Sequence, residues 1–370
     1  MRVGVPKEIK DHEDRVGLVP SSVAELVRHG HEVQIELGAG QGSGLEDEQY
    51  VAAGATIVGD VETLFATSEL IVKVKEPLTV ERKRLNRGQV LFTYLHLAPD
   101  REQTVDLLKS GVTAIAYETV TSPNGGLPLL TPMSEIAGRL APQVGAHYLE
   151  RAQGGRGVLL GGVPGVPPAE VVVLGGGVSG THAATIALGM GATVTVVDRS
   201  AEVLRRVAAQ MPAARTIFST HDAVSQILRR ADLVVGAVLV PGAAAPKIVT
   251  RDMVKAMKSG SVIVDIAIDQ GGCSETSRPT SHSHPVYVEE GVTHYCVTNM
   301  PGSVSRTSTF ALNNATLPFA LALADKGWRK AIAEDVHLRN GLNVHEGKLT
   351  CRPVADALDL PFTPVEALAA

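Results

Sequence analysis

Aromatic side chains are scarce in this chain, at 4% of its 370 residues with a single tryptophan, so aliphatic packing must dominate its cores. Positive charge is not in excess either. Lys and Arg total 34 against 39 Asp and Glu, a formal net charge of −5, and no basic run occurs along the chain. The electrostatic footprint expected for nucleic acid or anionic lipid is missing, which leaves a small molecule as the expected partner. Cysteine is rare. Cys273, Cys296 and Cys351 are odd in number and widely spaced, so they form neither a disulfide framework nor a metal-binding pair; they read as reduced and structural, and no metal is assigned. No apolar stretch approaches the ~18 residues of a membrane span. The N-terminal Met1 to Glu8 lacks a secretory apolar core, so the expected location is the cytoplasm.

What the chain does have is hydrophobic residues at 44% and charged residues at 20%, enough to build buried cores. At ~150 residues per domain the length suggests roughly two domains. Short β-branched runs alternate with longer helix-like segments, the pattern of parallel sheets with helical crossovers. Arg2 to Val5, Glu32 to Leu37, Thr56 to Val58, Leu70 to Lys75, Val90 to Leu95 and Val112 to Tyr117 read as strands, separated by amphipathic segments such as Ser22 to His29 and Arg101 to Lys109. Ser134 to Gln153 reads as one long connecting helix, capped by Ser134 and bent at Pro142. A second set follows: Glu170 to Leu174, Thr193 to Asp198, Arg215 to Phe218, Leu233 to Ala237, Ser261 to Ile266 and Thr293 to Val297. From Thr307 onward the pattern is mostly helical, with at most one short strand near Lys348, too little for a separate domain. The expected fold is α/β: two doubly wound, Rossmann-like domains with a cleft between them.

The sharpest motif is GxGxxG at Gly175, Gly177 and Gly180. A buried strand precedes it, a helix beginning near Val178 follows, and a second strand ends at Asp198 about 20 residues on, which is the βαβ context of a dinucleotide site. Gly175 permits the tight turn, Gly177 lets backbone N–H groups approach a pyrophosphate, and Gly180 lets helix pack close to strand. Asp198 would accept hydrogen bonds from the adenosine ribose and repel a 2′-phosphate, which favours NAD over NADP. Arg199 beside it reads as a solvated cation.

Ligands of open parallel sheets bind beyond the carboxyl ends of the strands, so polar groups there are candidates by position. In the first set these are Arg15, Lys75 and His96; alone, the first two would be ordinary surface cations, as would Lys73, and His96 a satisfied structural histidine. In the second set they are Asp269, beside Gln270-Gly271-Gly272, and Asn299, both expected to face the nicotinamide half of the cofactor. Ser281-His282-Ser283-His284 reads as a solvated loop, and Thr307-Ser308-Thr309 as a helix cap.

Taken together, Gly4-Val5-Pro6-Lys7-Glu8 through Arg15-Val16-Gly17 and Pro20, Lys75-Glu76-Pro77, Thr93 to Ala98, the glycine loop and Asp265 to Cys273 resemble the bacterial alanine dehydrogenases over nearly the whole chain. The resemblance extends to the NAD-binding subunit of proton-translocating transhydrogenase. It implies a substrate domain, residues 1–130 plus returning helices at 306–370, with the NAD-binding domain, 131–305, inserted between them. It further implies that Arg15 and Lys75 hold the substrate, that His96 is the acid/base with Asp269 assisting proton transfer, and that Ser134, Ser219, Leu239, Asn299 and Met300 line the cofactor. The glycine loop reads Gly-Gly-Gly where many relatives carry a middle alanine, and Ser274 stands where many have an aromatic. The implied reaction is NAD-dependent oxidation of L-alanine to pyruvate and ammonium by a homohexamer. Oxidation of serine or glycine, reduction of glyoxylate, or a transhydrogenase-like role without organic substrate are the alternatives. The residues leave open how His96 and Asp269 divide the proton transfers.

Overall fold

Within residues 1–238 and 245–368, the part of the chain that the computed structural model describes, strands and helices alternate as the hydrophobic pattern requires. The strands are β1 (Arg2–Val5), β2 (Glu32–Glu36), β3 (Thr56–Val58), β4 (Leu70–Val72), β5 (Val90–Thr93), β6 (Thr113–Ala116), β7 (Glu170–Leu174), β8 (Thr193–Asp198), β9 (Arg215–Phe218), β10 (Leu233–Gly236), β11 (Val262–Asp265), β12 (Val286–Glu289), β13 (Val292–Tyr295), β14 (Leu342–His345) and β15 (Lys348–Leu349). They fall into two compact units, Met1–Pro132 with Val304–Ala370, and Met133–Ser303.

The first unit holds an eight-stranded sheet in the order β15-β14-β6-β5-β4-β1-β2-β3. β4, β5 and β6 are buried along their whole length, as parallel strands covered on both faces must be. Ile71, Leu91 and Leu107 anchor the core beside them, each worth ~1.5–3 kcal/mol when buried. The helix Pro20–Arg28 begins where Pro20 pre-sets its first turn after an extended Val19, and it buries Val23 and Leu26 on one face. After β3 the chain crosses over to place β4 on the other side of β1, so the order reverses between β1 and β4. That reversal is the topological switch point beside which open α/β sheets bind ligands.

The second unit holds a seven-stranded sheet, β12-β13-β11-β10-β7-β8-β9, whose order reverses between β7 and β10. Its core is aliphatic, with Val172, Leu174, Val234 and Ile263 among its wholly buried members. The helix Val178–Gly189 follows β7 directly and buries Ala183, Ala184 and Ala187, small side chains that let it lie close to the sheet.

Several expectations need correction. The long helix is Thr131–Tyr148, and a separate 3-10 turn covers Arg151–Gln153, so Ser134 lies inside the helix and does not cap it. Thr307 to Thr309 likewise lie inside the helix Ser305–Lys326. The Thr309 hydroxyl instead accepts the Val16 N–H at 3.3 Å and pairs with the Ser43 hydroxyl at 2.9 Å. The segment after Thr307 supplies two strands: β14 runs antiparallel to β6, and β15 pairs with β14. β12, antiparallel to β13, was not expected either.

Candidate functional site

In the first unit the residues singled out from sequence all lie beyond the carboxyl edge of the sheet, next to the switch point. Arg15 sits in the loop after β1, Lys75 after β4 and His96 after β5. The loop of Arg15 is pressed against β4: a Cβ on Gly17 would sit 2.5 Å from the Val72 carbonyl oxygen, so only glycine fits.

Arg15 is not a solvated cation. It is 2% exposed, and its Nε and Nη2 each donate to the Glu13 carboxylate at 2.6 Å. Burial works against its charge, but the hydrogen bonds and charge of Glu13 outweigh that and raise its pKa.

β4 ends at Val72 and not at Lys75: the Lys73 N–H still reaches the Phe92 carbonyl at 3.2 Å, but beyond it the Val74 and Lys75 N–H groups turn to the Glu8 carboxylate, at 2.7 Å and 3.4 Å. Lys73, expected at the surface, is wholly buried, with Nζ donating to Glu8 at 3.1 Å and Glu81 at 2.6 Å. Two carboxylates on one ammonium leave an excess negative charge, and burial pushes the Glu8 carboxyl above its ordinary value. This buried cluster fixes the backbone from which Lys75 projects.

Lys75 is the reverse case. Among the described residues its ammonium makes only a 4.0 Å ion pair with Glu76, and the Glu76 Oε2 lacks a hydrogen-bond partner there. Burial lowers the Lys75 pKa, and the like charges of Arg15 and Lys10 lower it further against the opposing pull of Glu76. A lysine whose charge is so weakly compensated welcomes an anionic or carbonyl oxygen.

His96 is exposed although its sequence neighbours are apolar, because its backbone adopts φ 50 and turns the side chain away from the buried path of Leu95 and Leu97. For a residue with a Cβ this left-handed conformation costs roughly 1–3 kcal/mol and is retained where the surroundings enforce it. The Tyr94 ring stacks on the imidazole at a centroid distance of 5.8 Å and an interplanar angle of 14°. Glu118, just beyond β6, accepts the His96 N–H at 2.6 Å. Sequence reasoning passed over Glu13, Glu8 and Glu118. The signal that found His96, position at a strand end, applies equally to Glu118.

In the second unit the glycine loop joins β7 to the helix Val178–Gly189. Gly175 has φ 98, and a Cβ on Gly180 would lie 1.7 Å from the Gly175 carbonyl oxygen. At Gly177 a Cβ would meet nothing within 4 Å, so the loop is open on the side where an anion can reach the helix N-terminus. Val178, the first helical residue, is exposed. Asp198 ends β8 and binds the Gly176 N–H through Oδ2 and the Ser200 N–H through Oδ1, both at 2.8 Å; Ser219 donates its N–H to the Asp198 carbonyl at 2.9 Å. A loop closed by glycines, a free helix N-terminus and an acid at the neighbouring strand end fit a dinucleotide.

The helix carrying Ser134 packs on the first turn of the helix Val178–Gly189, since a Cβ on Gly138, one turn further, would be 2.2 Å from the Ser179 carbonyl oxygen. Asp269 is exposed in the 3-10 turn Ile266–Gln270 after β11. Asn299, beyond β13, accepts a hydrogen bond from His282 Nε2 through its carbonyl at 2.8 Å, so the Ser281–His284 loop is partly tied down. Met300 is buried beside it. Leu239 lies outside the described residues. Buried Asp265 accepts the Cys273 N–H at 2.9 Å, and burial together with that carboxylate pushes the Cys273 thiol well up, which keeps it protonated.

Comparison with known proteins agrees with this geometry. The family descriptions "Alanine dehydrogenase/PNT, N-terminal domain" and "Alanine dehydrogenase/PNT, C-terminal domain" match residues 4–137 and 141–352. An alanine dehydrogenase of Halomonas elongata is 59% identical over 372 aligned positions, which cover 100% of both chains. A solved L-alanine dehydrogenase superposes with a TM-score of 0.95 at 52% identity, covering 97% of this chain and 99% of the other. A transhydrogenase from Sinorhizobium meliloti superposes at 0.84 with 25% identity, over 95% and 100%. The chain therefore belongs to the alanine dehydrogenase/PNT family.

Proposed function

We propose that this chain is an NAD-dependent alanine dehydrogenase, converting L-alanine, NAD and water reversibly to pyruvate, ammonium, NADH and a proton. The observation that carries this reading is the 59% identity to an alanine dehydrogenase along the full length of both chains. Residues 1–130 and 306–370 serve as the substrate domain and 131–305 as the NAD-binding domain. The loop of Gly175, Gly177, Val178 and Gly180 holds the pyrophosphate. Asp198 retains lone pairs for the ribose beyond those already used, since a carboxylate offers about four. Ser134, Ser219, Leu239, Asn299 and Met300 line the remainder of the cofactor. Bound NAD supplies the hydride acceptor, the nicotinamide C4.

The chain's own groups orient the substrate and manage protons. Arg15, its plane set by Glu13, grips the substrate carboxylate. Lys75 stabilises negative charge developing on the carbonyl or carbinolamine oxygen. His96 takes and returns protons, while Asp269 holds the attacking water. The cytoplasm and a homohexameric assembly complete the reading on family resemblance; no described helix is long and apolar enough to cross a membrane.

The test is NADH fluorescence during incubation of the purified chain with NAD and L-alanine. Turnover without any partner protein is the expected result. Hydride transfer seen only when a second nucleotide-binding domain is added would replace this reading with the transhydrogenase-like one, and faster turnover of serine or glycine would reassign the substrate.

A further inference from the structure

The segment around His96 is held by side chains from two elements, Glu118 beyond β6 and Gln103 and Thr104 on one helix. Leu95 donates its N–H to both oxygens of the Glu118 carboxylate at 3.2 Å, and His96 donates its own to Oε1 at 2.6 Å. The Leu95 carbonyl is taken by Gln103 Nε2 at 2.6 Å, and the Leu97 carbonyl by the Thr104 hydroxyl at 3.2 Å. Gln103 and Thr104 are buried on the helix Arg101–Ser110. Consecutive N–H groups pointing to one side of a turn that contains a left-handed residue form a concave anion site. Here the anion is internal. It comes from the residue beyond β6, the strand parallel to β5.

From this geometry we infer that Glu118 is a positioning residue for His96: by filling the concavity it holds the strained backbone that presents the imidazole outward. The inference rests on the reading of His96 as acid/base. Without the carboxylate, the Leu95 and His96 N–H groups lose their acceptor and the turn is free to relax toward negative φ. The imidazole then moves with its backbone, and misplacement by about 1 Å costs catalysis on the order of a hundredfold. Among the described residues Glu118 takes its hydrogen bonds from the Leu95 and His96 backbone, so its effect runs through His96.

The experiment uses the full chain with Glu118→Ala, Glu118→Gln, His96→Gln and the double variant Glu118→Ala/His96→Gln. Glu118→Ala should lower kcat by about tenfold or more, leave the KM for NAD within about twofold, and shift the pH limb of kcat that His96 governs. Glu118→Gln, which keeps one acceptor oxygen, should recover most of kcat. Combined with His96→Gln, Glu118→Ala should cost nothing further. Wild-type kcat and pH limb in Glu118→Ala, or a loss that multiplies fully onto that of His96→Gln, overturns the inference. If Glu118→Ala does not fold, Glu118→Asp decides, since it keeps the charge and withdraws the acceptor by one methylene: a lowered kcat with the KM for NAD unchanged supports the inference, and wild-type kcat overturns it. Wild-type turnover in His96→Gln would instead sink the acid/base reading itself, and this inference with it.

Discussion

Arg15 and Glu13, two residues apart, meet edge to edge, with Nε 2.6 Å from Oε1 and Nη2 2.6 Å from Oε2. A guanidinium gripped along one edge cannot rotate about its stem, so the direction in which it meets a second carboxylate is set before any ligand arrives. Arg15→Lys keeps the charge and loses the planar fork. Losing hydrogen bonds to a charged group costs about 1.5–3 kcal/mol, roughly a ten- to hundredfold rise in the KM for pyruvate. NADH affinity, read by fluorescence titration, should not change; a parallel loss there would show that Arg15 does not belong to the substrate half.

Lys75 carries a pH signature. Its folded pKa is depressed, chiefly by burial. At pH values below the folded pKa, the buried charge destabilises the native state. As pH rises from the depressed value toward the ordinary lysine value of about 10.5, the unfolded chain holds the proton that the native one has released, and stability increases. Lys75→Met should therefore be more stable than the parent at neutral pH, by a margin that narrows toward about pH 10.5. A pH-independent margin in denaturant melts would contradict this, and the variant should lose most turnover.

Asp198 anchors the glycine loop through Gly176 as well as facing the ribose position. Asp198→Ala should relax the preference for NAD over NADP by on the order of tenfold and weaken NADH binding. Equal use of NADP and NAD by the unmodified chain would show that Arg199 outweighs the acid.

Gly180→Ala places a methyl group 1.7 Å from the Gly175 carbonyl oxygen, a position only backbone displacement can relieve. NADH binding should fall at least about tenfold, as one lost charge-assisted contact already costs that much. Undiminished binding would mean the loop is not the pyrophosphate site.

The doubly wound plan was legible because β-branched runs and the glycine loop are local signals. The bounds of β1, β3, β7, β8 and β9 coincide with the runs read from sequence. β14 was hidden by its own chemistry. Its sequence, Leu-Asn-Val-His, places Asn343 and His345 in a buried strand, and Asn343 is tolerated because it donates to Thr119 Oγ1 at 2.7 Å and the Gly341 carbonyl at 2.9 Å. β12 was missed because a short antiparallel addition has no helical crossover to announce it. Lys73 looked like a surface residue because its partner Glu8 lies far away in the chain. The candidate site followed the same division: strand-end position picked out Arg15, Lys75 and His96 and could have picked out Glu118, while Glu8 acts through contacts far along the chain that no local pattern encodes.

The pairing of β14 with β6 has a consequence for synthesis. The ribosome delivers all of Met133–Ser303 before it delivers β14, so β6 emerges early and must wait with its outer edge bare while the whole second unit is made. An unpaired edge is a template for association with other chains. At ~5–20 residues per second the wait is on the order of ten seconds or more. Nascent chains released before Leu342 should therefore aggregate through β6 more readily than chains carrying β14 and β15, a difference that sedimentation of truncated translation products would reveal.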